Sequence, residues 1–144
     1  LSARSFERAP CAGQRARDGK ATVAGEPGTR SLFDTLDTTK WNLLLFDGRS
    51  ASAEGYQRFA STAAALQERF PASLDVTVVT PRAVRPAELP EGLRVMLDAE
   101  RELEVRFGAE SECVYVLRPD LYVGYRAQPY DDAKLLAYLK GILR

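Results

Sequence analysis

The sequence predicts an α/β fold: a mixed central sheet with one parallel β-α-β unit and a C-terminal antiparallel hairpin plus helix. Three observations predict it. An apolar run at Trp41–Phe46 leads into a long amphipathic segment and then into a β-branched run at Leu74–Thr80. Two later apolar runs, Cys113–Leu117 and Leu121–Arg126, are joined by only Arg118-Pro119-Asp120. The chain closes on a helical pattern at Asp131–Leu143.

Residues 1–30 are polar, rich in Gly, Ala and Arg, and broken by Pro10 and Pro27. They are read as a connecting arm with a short strand at Ala21–Ala24, and residues 31–144 as the folded domain. Ser31–Leu36 forms a helical turn with Leu32, Phe33 and Leu36 along its apolar edge. Trp41–Phe46 (WNLLLF) is continuously apolar and ends at Asp47-Gly48, as a strand buried on both faces does. In the helix from Ser52 to Phe70, the residues Tyr56, Phe59, Ala63, Leu66 and Phe70 make one stripe; Ser52 is its N-cap and Pro71 its stop. Leu74–Thr80 and Leu93–Leu97 are strands separated by a proline-rich connection. Glu100–Phe107 is a short helix closed by Gly108. In the last helix Leu135, Leu136, Leu139, Ile142 and Leu143 face inward, with Asp131 and Asp132 at its positive end and Lys140 near its negative end. This order of elements is that of a thioredoxin-like fold.

Composition narrows the function. A chain of 144 residues and 15.9 kDa suits one domain that buries roughly two-thirds of its unfolded surface. Lys+Arg and Asp+Glu are 20 each, so no basic excess exists to neutralise phosphates, and nucleic acid is excluded as a partner. No apolar run is long enough to span a membrane and no signal peptide opens the chain, so the expected location is cytoplasmic, without membrane partners. Histidine is absent, which removes Ser-His-Asp and Cys-His chemistry and the commonest metal ligand; no metal site is expected. The chain starts at Leu1 and its single methionine is Met96, so it is read as processed or cut from something longer.

Two segments carry a family resemblance. Val114-Tyr115-Val116-Leu117-Arg118-Pro119-Asp120-Leu121-Tyr122-Val123-Gly124-Tyr125-Arg126 and the arm Ala12-Gly13-Gln14-Arg15-Ala16-Arg17-Asp18 resemble the C-terminal domain of FAD-dependent aromatic-ring monooxygenases, the phenol, phenylpropionate and polyketide hydroxylase group. The resemblance implies a parent flavoprotein that hydroxylates a phenolic ring with NAD(P)H and O₂. Its FAD- and substrate-binding domains would precede this one and be its partners, with a homo-oligomer as a further possibility. Gln14, Arg17 and Leu121 depart from the family pattern; Leu121 replaces a Gly, and a type I turn that spares Leu a positive φ is expected. The sequence has no GxGxxG, so no cofactor is expected in this chain itself; FAD and NAD(P)H would belong to the parent.

The thiol question is sharper. In a thioredoxin-like fold the reactive cysteine sits after the first central strand, where the start of the long helix favours a thiolate. Here that stretch, residues 47–54, reads DGRSASAE and holds none. Cys113 opens a core strand and is read as a small buried hydrophobe; Cys11 lies on the arm as an incidental thiol. Tyr115, Tyr122, Tyr125 and Tyr130 cluster around the hairpin and are read as packing. Asp98, Glu100, Glu102 and Glu104, mixed with Arg101 and Arg106, are read as a solvated face. No catalytic or cofactor-binding residue is assigned. Arg118, Pro119, Asp120, Tyr122, Tyr125 and Arg126 are the candidate domain or subunit interface. The leading expectation is thus a redox-inactive thioredoxin-like domain of an aromatic hydroxylase with a structural role; the alternative is a stand-alone thioredoxin-like protein-binding module without catalysis. A thiol peroxidase is the reading set aside.

Overall fold

A computed structural model describes residues 2–48 and 53–143; for residues 2–4 it describes the backbone. In chain order the elements are α1 (Ser2–Arg8), β1 (Lys20–Val23), β2 (Arg30–Ser31), α2 (Leu32–Thr35), β3 (Trp41–Phe46), α3 (Ala53–Arg69), β4 (Leu74–Thr80), β5 (Arg94–Leu97), α4 (Glu102–Arg106), β6 (Cys113–Leu117), β7 (Val123–Ala127) and α5 (Asp132–Ile142). They build one sheet in the order β2-β1-β5-β4-β3-β6-β7. The β3-β4 and β4-β5 pairs are parallel; β6 runs antiparallel to both β3 and β7. The mixed thioredoxin-like architecture is therefore present, with the β-α-β unit and the closing hairpin and helix as expected.

Helices cover both faces, which is why β3 is apolar from Leu43 to Phe46; the buried Asn42 before them donates to the Asp37 and Lys40 carbonyls. Leu43 and Leu45 point into one core with Val76, Val78, Val114 and Val116, sealed by Phe59 and Leu66 of α3 and Leu135 and Leu139 of α5. Leu44 and Phe46 point the other way, into a second core with Val79, Tyr115 and Leu117, sealed by α2 and α4. The period-2 alternation of β6 falls as read: Tyr115 and Leu117 on one face, Val114 and Val116 on the other. Ser31 caps α2 through Asp34 N–H, and Asp131 caps α5 through Lys134 N–H at 3.1 Å. Ser52, expected to cap α3, lies outside the described residues.

Three local findings differ from the sequence expectation, while the strand expected at Ala21–Ala24 is present as β1. Residues 2–8 form α1, a helix without a sequence period of its own; it is held by tertiary contacts instead. Arg126 donates to the carbonyls of Phe6 and Ala9 at its end and lies 4.0 Å over the Phe6 ring. Within residues 1–30, β1 joins the sheet between β2 and β5, while Gly13 N–H and Ala16 N–H bond to the Val123 and Leu121 carbonyls of the hairpin. The two segments singled out by sequence thus lie against each other. Leu121 has φ +68°, so it does adopt the left-handed conformation expected to be avoided. Its neighbours hold it there: Leu121 N–H bonds Arg118 O at 2.8 Å, its carbonyl accepts from Ala16, and its side chain packs on the second core. Finally, Asp98 and Glu104 are 2% and 4% exposed, not part of a solvated face. Asp98 is drawn in because its carboxylate accepts the Leu103 and Glu104 N–H groups and so caps α4.

Candidate functional site

The carboxyl ends of β3, β4 and β5 meet the amino end of α3, the place where this fold concentrates its chemistry. Parallel strands bring their carboxyl ends side by side, and here Asp47, Thr80 and Asp98 stand at or just past those ends. Asp47 follows β3 and is 7% exposed. Tyr56, one turn into α3, is fully buried and donates its hydroxyl hydrogen to Asp47 Oδ2. The same hydroxyl lies 2.8 Å from Thr80 Oγ1 at the end of β4, and Thr80 Oγ1 also accepts Arg82 N–H at 3.2 Å. The Arg82 guanidinium stands 4.8 Å over the Tyr56 ring. Asp47 Oδ1 has no hydrogen-bond partner among the described residues. It borders a cavity of about 10 Å³ that Asp98 and Glu104 also line. That volume admits one water at most and no substrate.

The electrostatics follow from burial. Desolvation raises the Asp47 carboxyl to about 6, against the lowering effect of the Tyr56 and Thr80 hydrogen bonds and of Arg82. Desolvation likewise pushes the Tyr56 hydroxyl far up, with the Asp47 hydrogen bond adding to it. The arrangement can hold and exchange a proton near pH 6. It contains no thiol among its described members. Gly48 closes the strand end at φ +74°, and a Cβ there would lie 2.7 Å from the Ser111 backbone, so the 111–112 segment packs directly against this point.

Neither sulfur lies at the amino end of α3. Cys113 pairs with Phe46 across β3 and β6 and sits in the second core, on the face of the sheet away from α3. Burial pushes its thiol far above the ordinary range despite Arg126. Cys11 is half-buried on the N-terminal segment, its Sγ 3.7 Å from Ala9 O.

The residues expected to form an interface separate into two groups. Arg118, Pro119, Asp120 and Tyr122 form the hairpin tip: Arg118 pairs with Asp120 and lies 5.5 Å over the exposed Tyr122 ring. Tyr125 and Arg126 are taken up internally. Tyr125 stacks on Tyr138 of α5 at 4.9 Å, and Arg126 bonds α1. The four hairpin tyrosines do not form one cluster either. Tyr115 is buried with its hydroxyl on Phe107 O at 2.6 Å, and Tyr130 lies in the other core. Sequence reasoning did not assign the Asp47–Tyr56–Thr80 cluster. Its signal was an acid placed directly after a two-faced buried strand.

No protein family and no curated protein matches the sequence. Solved structures match the fold. A putative thiol:disulfide interchange protein DsbE from Chlorobium tepidum superposes with a TM-score of 0.73 at 17% identity, over 92% of this chain and 98% of that one. The bacterioferritin comigratory protein of Xanthomonas campestris gives 0.69 at 14%, over 88% and 92%. The mitochondrial 2-Cys peroxiredoxin from Plasmodium falciparum gives 0.68 at 10%, over 91% and 93%. The fold is thioredoxin-like. These neighbours correct the expected parentage. In each of them the unit spans nearly the whole chain and is not the tail of a flavin-dependent hydroxylase. The reading as part of an FAD-dependent aromatic monooxygenase, with preceding FAD- and substrate-binding domains as partners, is withdrawn with it. Among the described residues, no helix is long and apolar enough to cross a membrane.

Proposed function

We propose that this chain is a thioredoxin-like protein-binding module that carries out no thiol chemistry. One observation carries the reading: the stretch from Asp47 to Glu54, where the fold would present a thiolate, has no cysteine, and Cys113 is sealed on the opposite face of the sheet. The polar cluster that occupies the strand ends anchors α3 to the sheet instead of reacting. The reading requires no cofactor in this chain, and it places the protein in the cytoplasm, where both cysteines stay reduced.

The test measures peroxide consumption and insulin reduction by the purified chain with dithiothreitol as electron donor. The expected rate equals that of the Cys11→Ser, Cys113→Ser double variant. Turnover that disappears in Cys11→Ser would overturn the reading.

A further inference from the structure

Three buried acids meet behind the strand ends. Asp47 follows β3, Asp98 follows β5 and Glu104 lies in α4, and all three line the cavity of about 10 Å³ beside Thr80. No Lys or Arg among the described residues lines it. The cations around the node stand outside that space. Arg82 lies over the Tyr56 ring, and Arg101 Nη1 is 3.9 Å from Glu104 Oε2. Glu112, on the segment packed against Gly48, is paired with Arg58 at 3.0 Å.

The hydrogen bonds fix where a proton on Asp47 sits. Oδ2 accepts the Tyr56 hydroxyl hydrogen, and that hydroxyl oxygen also meets Thr80 Oγ1. Oδ1 borders the cavity and has no hydrogen-bond partner among the described residues. The proton therefore belongs on Oδ1, where it turns an orphaned acceptor into a donor aimed at a space walled by two further carboxyl groups. One water fits that space and can relay the bond. Without the proton, three carboxylates face one another where water screens little. Burial accordingly raises both Asp47 and Asp98, and the charge of Glu104 adds to the rise at Asp98.

Of the elements around the cavity, α4 is the least secured. It has five residues, against 17 in α3. It opens on Arg101 at φ +61°, a conformation disfavoured for a residue with a Cβ, and the Arg101 side chain caps nothing. Its amino end is held instead by Asp98, which accepts the Leu103 and Glu104 N–H groups and is itself a wall of the cavity. We infer that a proton held on Asp47 towards Asp98 and Glu104 latches α4 to the end of the sheet, and that its loss as the pH rises loosens α4 locally. The latch goes beyond the protein-binding reading and does not depend on it.

The test follows amide hydrogen exchange of the whole chain by NMR at pH 5 and pH 8, corrected for the intrinsic exchange rate, with and without dilute urea. The reporters are the Leu103, Glu104, Val105 and Phe107 amides, whose acceptors are Asp98 and carbonyls of α4 and its cap. They are expected to exchange through a local opening that dilute urea does not accelerate. That opening is expected to become about tenfold more frequent from pH 5 to pH 8, the ratio set by a carboxyl at about 6 when closed and 3.8 when solvated. Asp47→Asn keeps an acceptor for Tyr56 and presents an amide N–H where the protonated acid has its O–H, so the opening stays at its pH 5 frequency at both pH values. Glu104→Gln removes one facing charge and leaves Asp47 to titrate, and the change with pH shrinks. Thermal melts establish that each variant is folded. An opening frequency that is the same at both pH values in the wild type, or that changes as much in Asp47→Asn or Glu104→Gln, overturns the inference. Exchange of α4 with the protection and urea dependence of α5 at both pH values overturns it too, because α4 then opens only when the whole chain unfolds.

Discussion

Tyr56 of α3 donates its hydroxyl hydrogen to Asp47 at the end of β3, and this single contact keys the start of the long helix to the strand that precedes it. Thr80 joins the pair from β4, so three consecutive elements of the parallel unit share one buried polar node. A hydrogen bond of this kind is worth having because an unpartnered hydroxyl in the same place would cost about 1–3 kcal/mol.

The node makes stability depend on pH. Asp47 binds its proton more tightly in the folded chain, at about 6, than at the unfolded value of 3.8. The folded state therefore gains from this group in acid, and the gain is lost as pH rises through about 6. The full swing is of order 3 kcal/mol. Asp47→Asn keeps a polar partner for Tyr56 and removes the titration. Urea unfolding at pH 4 and pH 8 checks this: the difference between the two pH values is expected to shrink in Asp47→Asn.

Gly108 holds α1 in place. It has φ +62°, and a Cβ there would stand 2.4 Å from the Ser5 carbonyl oxygen and 2.8 Å from Phe6 Cα. Gly108→Ala is expected to destabilise by about 1–3 kcal/mol and to loosen the N-terminal helix while the sheet persists. Faster trypsin cleavage after the exposed Arg8, with amide protection of β3 and β4 retained, is the expected outcome.

Leu121 carries backbone strain at the hairpin. A left-handed conformation costs a non-glycine residue about 1–2 kcal/mol. Truncating the side chain by Leu121→Ala and by Leu121→Gly removes the same packing but only the second relieves the strain. The Gly variant is expected to be the more stable by about 1 kcal/mol, the reverse of the order on an ordinary strand or helix. Chemical denaturation of both variants measures it.

The two thiols differ in reach. Cys113 is fully buried and its proton is held by desolvation, whereas Cys11 is partly accessible. A disulfide reagent at pH 8 is expected to titrate one thiol in the native protein and two in guanidinium. Cys11→Ser removes the fast phase; a fast phase that survives this change would show that the β6 end opens readily.

The sequence by itself determined the elements whose cause is local. β3 and β4 have the boundaries read from their apolar and β-branched runs, and α3 and α5 lie where their apolar stripes put them, although Ile142 of the α5 stripe is exposed, because periodicity acts within a few residues. It also determined that no cysteine stands between Asp47 and Glu54. Tertiary structure alone decided the rest. α1 exists because Arg126, some 120 positions away, captures its carbonyls. Leu121 is left-handed because the segment around Ala16 and the turn at Arg118 grip its peptide groups. Asp98 is buried because its carboxylate caps α4 from the inside, and a run of acids looks solvated until its backbone partners are known. The Asp47–Tyr56–Thr80 node arises only when the ends of β3 and β4 and the start of α3 are packed together, and such a pairing leaves no period or spacing in the sequence to read.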